Sequence, residues 1–124
     1  MSKILVIDND KDMCCVVRDV LKEENHTVNI AHDGESALSK IKRQRFDLMI
    51  VDYKLFGKNG LTLIEEARQI RPSLITIMIS AFGNESVRSR ARKLGAYDFL
   101  DKPFHIKRLA KVVKKALSKR GTCR

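Results

Sequence analysis

The chain has 124 residues, 44% hydrophobic and 32% charged, with three cysteines and a formal net charge of +10. That is one domain's worth of polypeptide, able to bury a core without disulfide staples. No apolar run approaches the roughly 20 residues that span a bilayer, and Met1-Ser2-Lys3-Ile4 has no signal-peptide core behind it, so no membrane insertion and a cytoplasmic location are expected.

Apolar runs and helical periodicity alternate five times along the chain. Strands are expected at 3–8, 27–31, 47–51, 74–79 and 97–101, and helices at 11–24, 34–44, 59–70, 84–94 and 105–119. Three of the strand segments are apolar or β-branched throughout. Continuous rather than alternating hydrophobicity means burial on both faces, as in a parallel sheet between helix layers. The punctuation agrees: Asp10, Asp33 and Asn84 stand where N-caps belong, Asn59-Gly60 marks a turn, Arg71-Pro72 closes the third helix and Gly95 follows the fourth. In the last helix Ile106, Leu109, Ala110, Val113 and Leu117 form one stripe, with Lys107, Arg108, Lys111, Lys114 and Lys115 largely off it. The pattern is a doubly wound (βα)5 domain over residues 1–120, followed by a basic tail or linker start at 121–124.

Three cysteines do not make a disulfide framework. Cys14 and Cys15 lie among Met13, Val16 and Val17 and are expected as small core hydrophobes, and Cys123 as an exposed thiol. His26, His32 and His105 show no metal-ligand spacing with each other or with the cysteines, so neither a zinc site nor a Cys–His nucleophile is expected. The charge is unevenly placed. Residues 84–124 carry thirteen Lys/Arg against three acids, whereas residues 1–83 carry twelve of each. The whole surplus belongs to the last two helices and the strand between them.

Four strand ends carry polar groups: Asp8, Asp52, Ser80 and Lys102. In open parallel sheets, ligands bind in the crevice outside the carboxyl ends of the strands. Two acids, a hydroxyl and an amine there describe one site. A carboxylate can act as nucleophile toward phosphorus, and phosphoryl transfer asks a protein mainly for positioning and charge neutralisation. Asp52 is the candidate acceptor, Lys102 the fixed cation, and Asp8 with Asp52 the hard oxygen ligands that suit Mg²⁺ (or Mn²⁺).

The segments Ile4-Leu5-Val6-Ile7-Asp8-Asn9-Asp10, Asp52, Ser80-Ala81 and Lys102-Pro103-Phe104 resemble, in order and over nearly the whole chain, the receiver domain of two-component response regulators (the CheY-like superfamily). The resemblance implies a flavodoxin-like three-layer sandwich with a five-stranded parallel sheet in order 2-1-3-4-5. It implies a phosphoprotein that takes a phosphoryl group onto Asp52 from a histidine kinase or histidine phosphotransfer protein, catalysing only its own phosphorylation and dephosphorylation. It further implies a metal held by Asp8, Asn9, Asp52 and the Lys54 backbone carbonyl, switch residues Ser80 and Phe99, a cis bond before Pro103, and a responsive face on the fourth helix, fifth strand and fifth helix. Arg88, Arg92, Lys107 and Lys111 would present that face to an acidic protein or a covalently linked output domain. Tyr97 is expected in the core.

Three departures qualify the resemblance. Asn9 stands where a second acid is usual and brings an amide oxygen without charge, with Asp10 either compensating or capping the first helix. Phe56 replaces a proline in the loop after Asp52, with Lys58 and Asn59 in place of the commoner pair, implying a looser loop or a different partner. His105 replaces an acid or small cap. Lys54 and Phe82 flank the route of water to an acyl phosphate and resemble the arrangement of slowly hydrolysing relay receivers. A phosphorylation-independent interaction module, a receiver from a larger transcription regulator and a small cofactor-binding flavodoxin-like protein are the alternatives. The last lacks a Gly-rich phosphate loop after the first strand. Residues already used by the (βα)5 pattern leave no DNA-reading module, so direct nucleic-acid binding is not expected.

Overall fold

Five strands, β1 (Lys3–Ile7), β2 (Thr27–Ala31), β3 (Leu48–Asp52), β4 (Ile75–Ser80) and β5 (Asp98–Asp101), alternate with five helices in a computed structural model of the chain. The helices are α1 (Lys11–Glu23), α2 (Gly34–Arg43), α3 (Gly60–Ile70), α4 (Glu85–Lys93) and α5 (Ile106–Thr122). The structure describes residues 2–55, 58–81, 85–102 and 104–122, with side chains as far as 118. The expectations at Phe56, Phe82, Asn84, Pro103 and Cys123 lie outside the described residues. Among the described residues no helix is long and apolar enough to cross a membrane.

All strand pairs are parallel, in the order β2-β1-β3-β4-β5, which is the expected doubly wound arrangement. Side chains alternate across the sheet and sort into two cores. Leu5, Ile7, Met49, Val51, Met78 and Phe99 face α2, α3 and α4. Ile4, Val6, Leu48, Ile50, Ile77, Ile79 and Leu100 face α1 and α5. Each fully buried Leu or Ile contributes about 1.5–3 kcal/mol, the reserve against which polar groups are held at the strand ends. Tyr97 packs, partly buried, on the α1/α5 side.

The caps follow the sequence closely. Asp10 accepts from the amides of Asp12 and Met13, Asp33 from that of Ser36 and Asn59 from that of Thr62. Asp10 is therefore the cap of α1. Gly95 adopts φ +98°, the left-handed conformation that ends α4 without a Cβ penalty. At the start of α5 the His105 carbonyl accepts from the Arg108 and Leu109 amides at 2.9 and 3.3 Å. One core expectation fails: Cys14 is buried but Cys15 is exposed. Adjacent helical residues point about 100° apart, and Cys15 falls on the outer side of α1.

Candidate functional site

The alternation that builds the α1/α5 core also builds the site. Asp8 continues the Ile4-Val6 row, Asp52 the Leu48-Ile50 row and Lys102 the row of Leu100, so all three leave the sheet on one face. The Lys102 Nζ lies 3.0 Å from Asp8 Oδ2 and 3.3 Å from Asp52 Oδ2. Asp8 is 3% exposed and Asp52 7% exposed, so two carboxylates share one ammonium with little help from water. The other Asp8 oxygen accepts from the Asp10 amide at 3.0 Å. Behind Asp52, the α3 N-terminus closes in: the Gly60 amide donates to the Tyr53 carbonyl at 2.7 Å, and a Cβ on Gly60 would stand 2.7 Å from the Asp52 carbonyl oxygen. Only glycine allows that approach.

Burial raises the Asp52 carboxyl above its ordinary pKa, the Asp8 charge raises it further, and Lys102 partly offsets both. Burial works against the Lys102 ammonium, but its hydrogen bond to Asp8 and the charges of both acids outweigh this and hold its pKa up. The cation stays charged, and the acids are left with more negative charge than burial favours. That imbalance is what a second cation relieves. Among the described residues no group of three or more His, Cys, Asp and Glu side chains gathers to hold a metal. Two carboxylates with amide, carbonyl and water oxygens are nonetheless the usual Mg²⁺ donor set, and the residues fit it. Asn9, next to Asp8 in the chain, and Lys54, two residues past Asp52, are both exposed.

Ser80 belongs to the opposite row. It follows Met78 on the α3/α4 side, 1% exposed, and its carbonyl accepts from the Lys102 amide at 2.8 Å. Phe99 lies on that same side, 8% exposed, paired in register with Met78 while Ser80 pairs with Asp101. The two expected switch residues are thus neighbours across β4 and β5. Of the basic residues expected on the face, Lys107 and Lys111 are exposed on α5, and exposed Arg92 meets Glu85 at 3.5 Å. Arg88 behaves differently. Its guanidinium sits 4.8 Å from the centre of the Phe99 ring and pairs with Asp101, joining α4 to β5 directly over the buried aromatic.

Sequence reading missed three arrangements. The Arg88 stack depends on a contact between separate elements. Lys58 reaches Glu66 at 2.8 Å and Glu35 at 3.5 Å, with its stem over Gly34, so this end of the loop after Asp52 is tethered to α2 and α3 rather than loose. The hydrogen bond to Glu66 is the first reason the Lys58 pKa is raised. Finally, the Asp8 carbonyl accepts from His32 Nδ1 at 2.9 Å and from the Cys14 thiol at 3.3 Å. Burial first, then the charges of Asp8 and Asp10, push that thiol up to about 11, so it stays protonated. The signal available was position: His32 follows β2, the one strand whose carboxyl end had no polar group assigned to it.

Comparison with known proteins agrees with this geometry. The family model described as "Response regulator receiver domain" matches residues 4–114. The nitrogen assimilation regulatory protein NtrX of Azorhizobium caulinodans is 34% identical over 116 residues, which are 92% of this chain and 26% of that protein. The transcriptional regulatory protein CpxR of Klebsiella pneumoniae is 37% identical over 109 residues, 88% of this chain and 46% of that protein. The chain thus spans between about a quarter and a half of the length of these curated relatives. A response regulator receiver domain protein (CheY-like) from Methanospirillum hungatei superposes with a TM-score of 0.96 at 26% identity, covering 100% of this chain and 99% of that one. On sequence and structure together, the chain belongs to the response regulator receiver domain family.

Proposed function

We propose that Asp52 accepts a phosphoryl group from the phosphohistidine of a histidine kinase or histidine phosphotransfer protein. An Asp52 carboxylate oxygen forms the new O–P bond as the N–P bond breaks and the imidazole leaves. The observation that carries this reading is the convergence of two buried carboxylates on one ammonium at the ends of β1, β3 and β5. Lys102 would bind a phosphoryl oxygen after giving up its contact with Asp52. Asp8, Asn9, Asp52 and the Lys54 carbonyl would hold Mg²⁺ (or Mn²⁺). When bound, the metal supplies positive charge to the phosphoryl oxygens. Ser80 would then follow the phosphoryl group, and its neighbour Phe99 would relay the change to the face of α4, β5 and α5, the local event with a distant readout expected of a phosphorylation switch.

The receiver is a signalling module, and its proposed place of action is the cytoplasm. The surplus of ten positive charges over residues 84–124 supports an acidic protein, or an acidic surface on an output domain, as the partner of Arg88, Arg92, Lys107 and Lys111. Intact mass after incubation with acetyl phosphate, with and without Mg²⁺, tests the chemistry. One Mg²⁺-dependent phosphoryl adduct in the wild type and none in Asp52→Asn is expected. No adduct on a folded wild-type protein would sink the reading and favour a phosphorylation-independent module, the alternative that Asn9 in place of an acid supports.

A further inference from the structure

We propose that His32 is a positioning residue for Asp8: its ring, with the Cys14 thiol, fixes the Asp8 peptide and so the angle at which the Asp8 carboxylate meets a metal. The inference rests on the reading of Asp8 as a metal ligand. A backbone carbonyl only accepts hydrogen bonds, so His32 Nδ1, 2.9 Å from the Asp8 oxygen, carries a proton and donates. The Cys14 sulfur lies 3.3 Å from the same oxygen and 4.0 Å from Nδ1, bringing a second donor from α1. The Asp8 amide is also committed, to the Ala31 carbonyl at 3.1 Å.

The brace is itself held on both sides. Ala31 is locked in the β1–β2 ladder opposite Ile7, and Asp33 is fixed as the cap of α2. His32 lies between them, so its backbone has little freedom and its ring reaches over the end of β1. The peptide group of Asp8 is therefore tied to β2, to the start of α2 and to α1. Its side chain is tied to the Asp10 amide and to Lys102. A carboxylate attached to a peptide held this way pays little further ordering cost when it coordinates a cation. Groups that orient a ligand in this manner change metal affinity by about 10- to 100-fold when lost. Asn9 makes the point sharper. With one formal charge fewer than two adjacent acids would give, affinity depends more heavily on how well Asp8 and Asp52 are preset.

The test is a Mg²⁺ titration of the full chain, followed by the amide shifts of Asn9 and Tyr53, with thermal midpoints measured alongside. His32→Ala and His32→Phe remove the donor, the second while keeping a ring, and each is expected to weaken Mg²⁺ binding about tenfold. His32→Asn places an amide N–H near the position of Nδ1 and is expected to recover most of that loss. A purely structural role would move the midpoints and leave the rescue pattern absent. Affinity within twofold of wild type in both donor-free variants, with Asp8→Asn abolishing binding, overturns the positioning role and spares the metal reading. Asparagine as weak as alanine overturns it as well. A wild type whose shifts do not respond to Mg²⁺ overturns both.

Discussion

Two regions of this molecule are rich in charge and treat it in opposite ways. At the strand ends, Asp8 and Asp52 are almost fully buried around one lysine, and the protein bears the electrostatic cost of crowding like charges away from water. Along α5, Lys107, Arg108, Lys111, Lys114 and Lys115 are all exposed, repelling one another through a high dielectric that makes the repulsion cheap. The crevice therefore stores energy that a ligand can release. The face stores almost none and instead advertises a long-range potential. Stability measurements separate the two, because the same change of one charge should matter greatly in one place and little in the other.

Lys102→Ala gives the largest expected effect. It leaves two buried carboxylates without their cation, and breaking a buried pair from one side costs about 3 kcal/mol. The pH dependence has a definite sign. The Asp52 pKa is already raised in the folded protein, by burial first and the Asp8 charge second, and loss of Lys102 removes the opposing influence. A carboxyl whose folded pKa lies above its unfolded value contributes stability that is complete below the unfolded value and is lost as pH rises through the folded one. The gap in Tm between wild type and variant, in metal-free buffer, should be wide at pH 7 and narrow toward pH 4. A gap that stays constant on acidification would mean that the crevice stores no such energy.

Arg88→Ala probes a case between the two, a half-shielded cation on α4 packed against a buried ring. Its guanidinium covers Phe99 and pairs with Asp101, in a setting half shielded from solvent. Loss of about 1 kcal/mol is expected from the ring contact and the ion pair together. Arg88→Lys keeps the charge but not the planar stack and should recover only part of it. Urea unfolding in low and high salt distinguishes the contributions, since the ion pair is screened and the ring contact is less so. If lysine restores the full stability, the stack contributes nothing and Arg88 is simply another face cation.

The legibility of the two regions differs for the same physical reasons. Buried parallel strands announce themselves as uninterrupted apolar runs, and a polar residue ending such a run has few explanations, so Asp8, Asp52, Ser80 and Lys102 stood out. Boundaries slipped by a residue where the ladder decides: Asp52 is the last residue of β3, not the first after it, because it stays in register with Ile79. Asp10 was ambiguous because capping and metal binding both ask for a carboxylate at the start of α1, and only the direction of its hydrogen bonds decides for the cap. The stack of Arg88 on Phe99 and the bond from His32 to Asp8 could not be read at all. Both are side-chain contacts to elements distant in the chain, and no periodicity encodes a rotamer.

Lys111→Glu gives the smallest expected effect, and the opposite sign. Lys111 lies on the exposed ridge of α5 between two shallow grooves, one floored by Ile106 and Ala110 and the other by Tyr97 and Val112. Its helical neighbours at three and four residues' spacing are Lys107, Arg108, Lys114 and Lys115, all basic. A glutamate at this position would face lysines at both spacings, with the favourable order toward Lys115, and should raise stability by roughly 0.3–0.5 kcal/mol in low salt. The gain should vanish in high salt. Thermal unfolding at two ionic strengths reads it, and a loss of stability would show that the lysine makes a structural contact. A substitution that stabilises the fold while reversing the charge means that the fold itself does not need the lysine there. Retaining five cations on one exposed helix face then points to binding, and the same variant should weaken association with an acidic partner while leaving Mg²⁺ binding at the crevice unchanged.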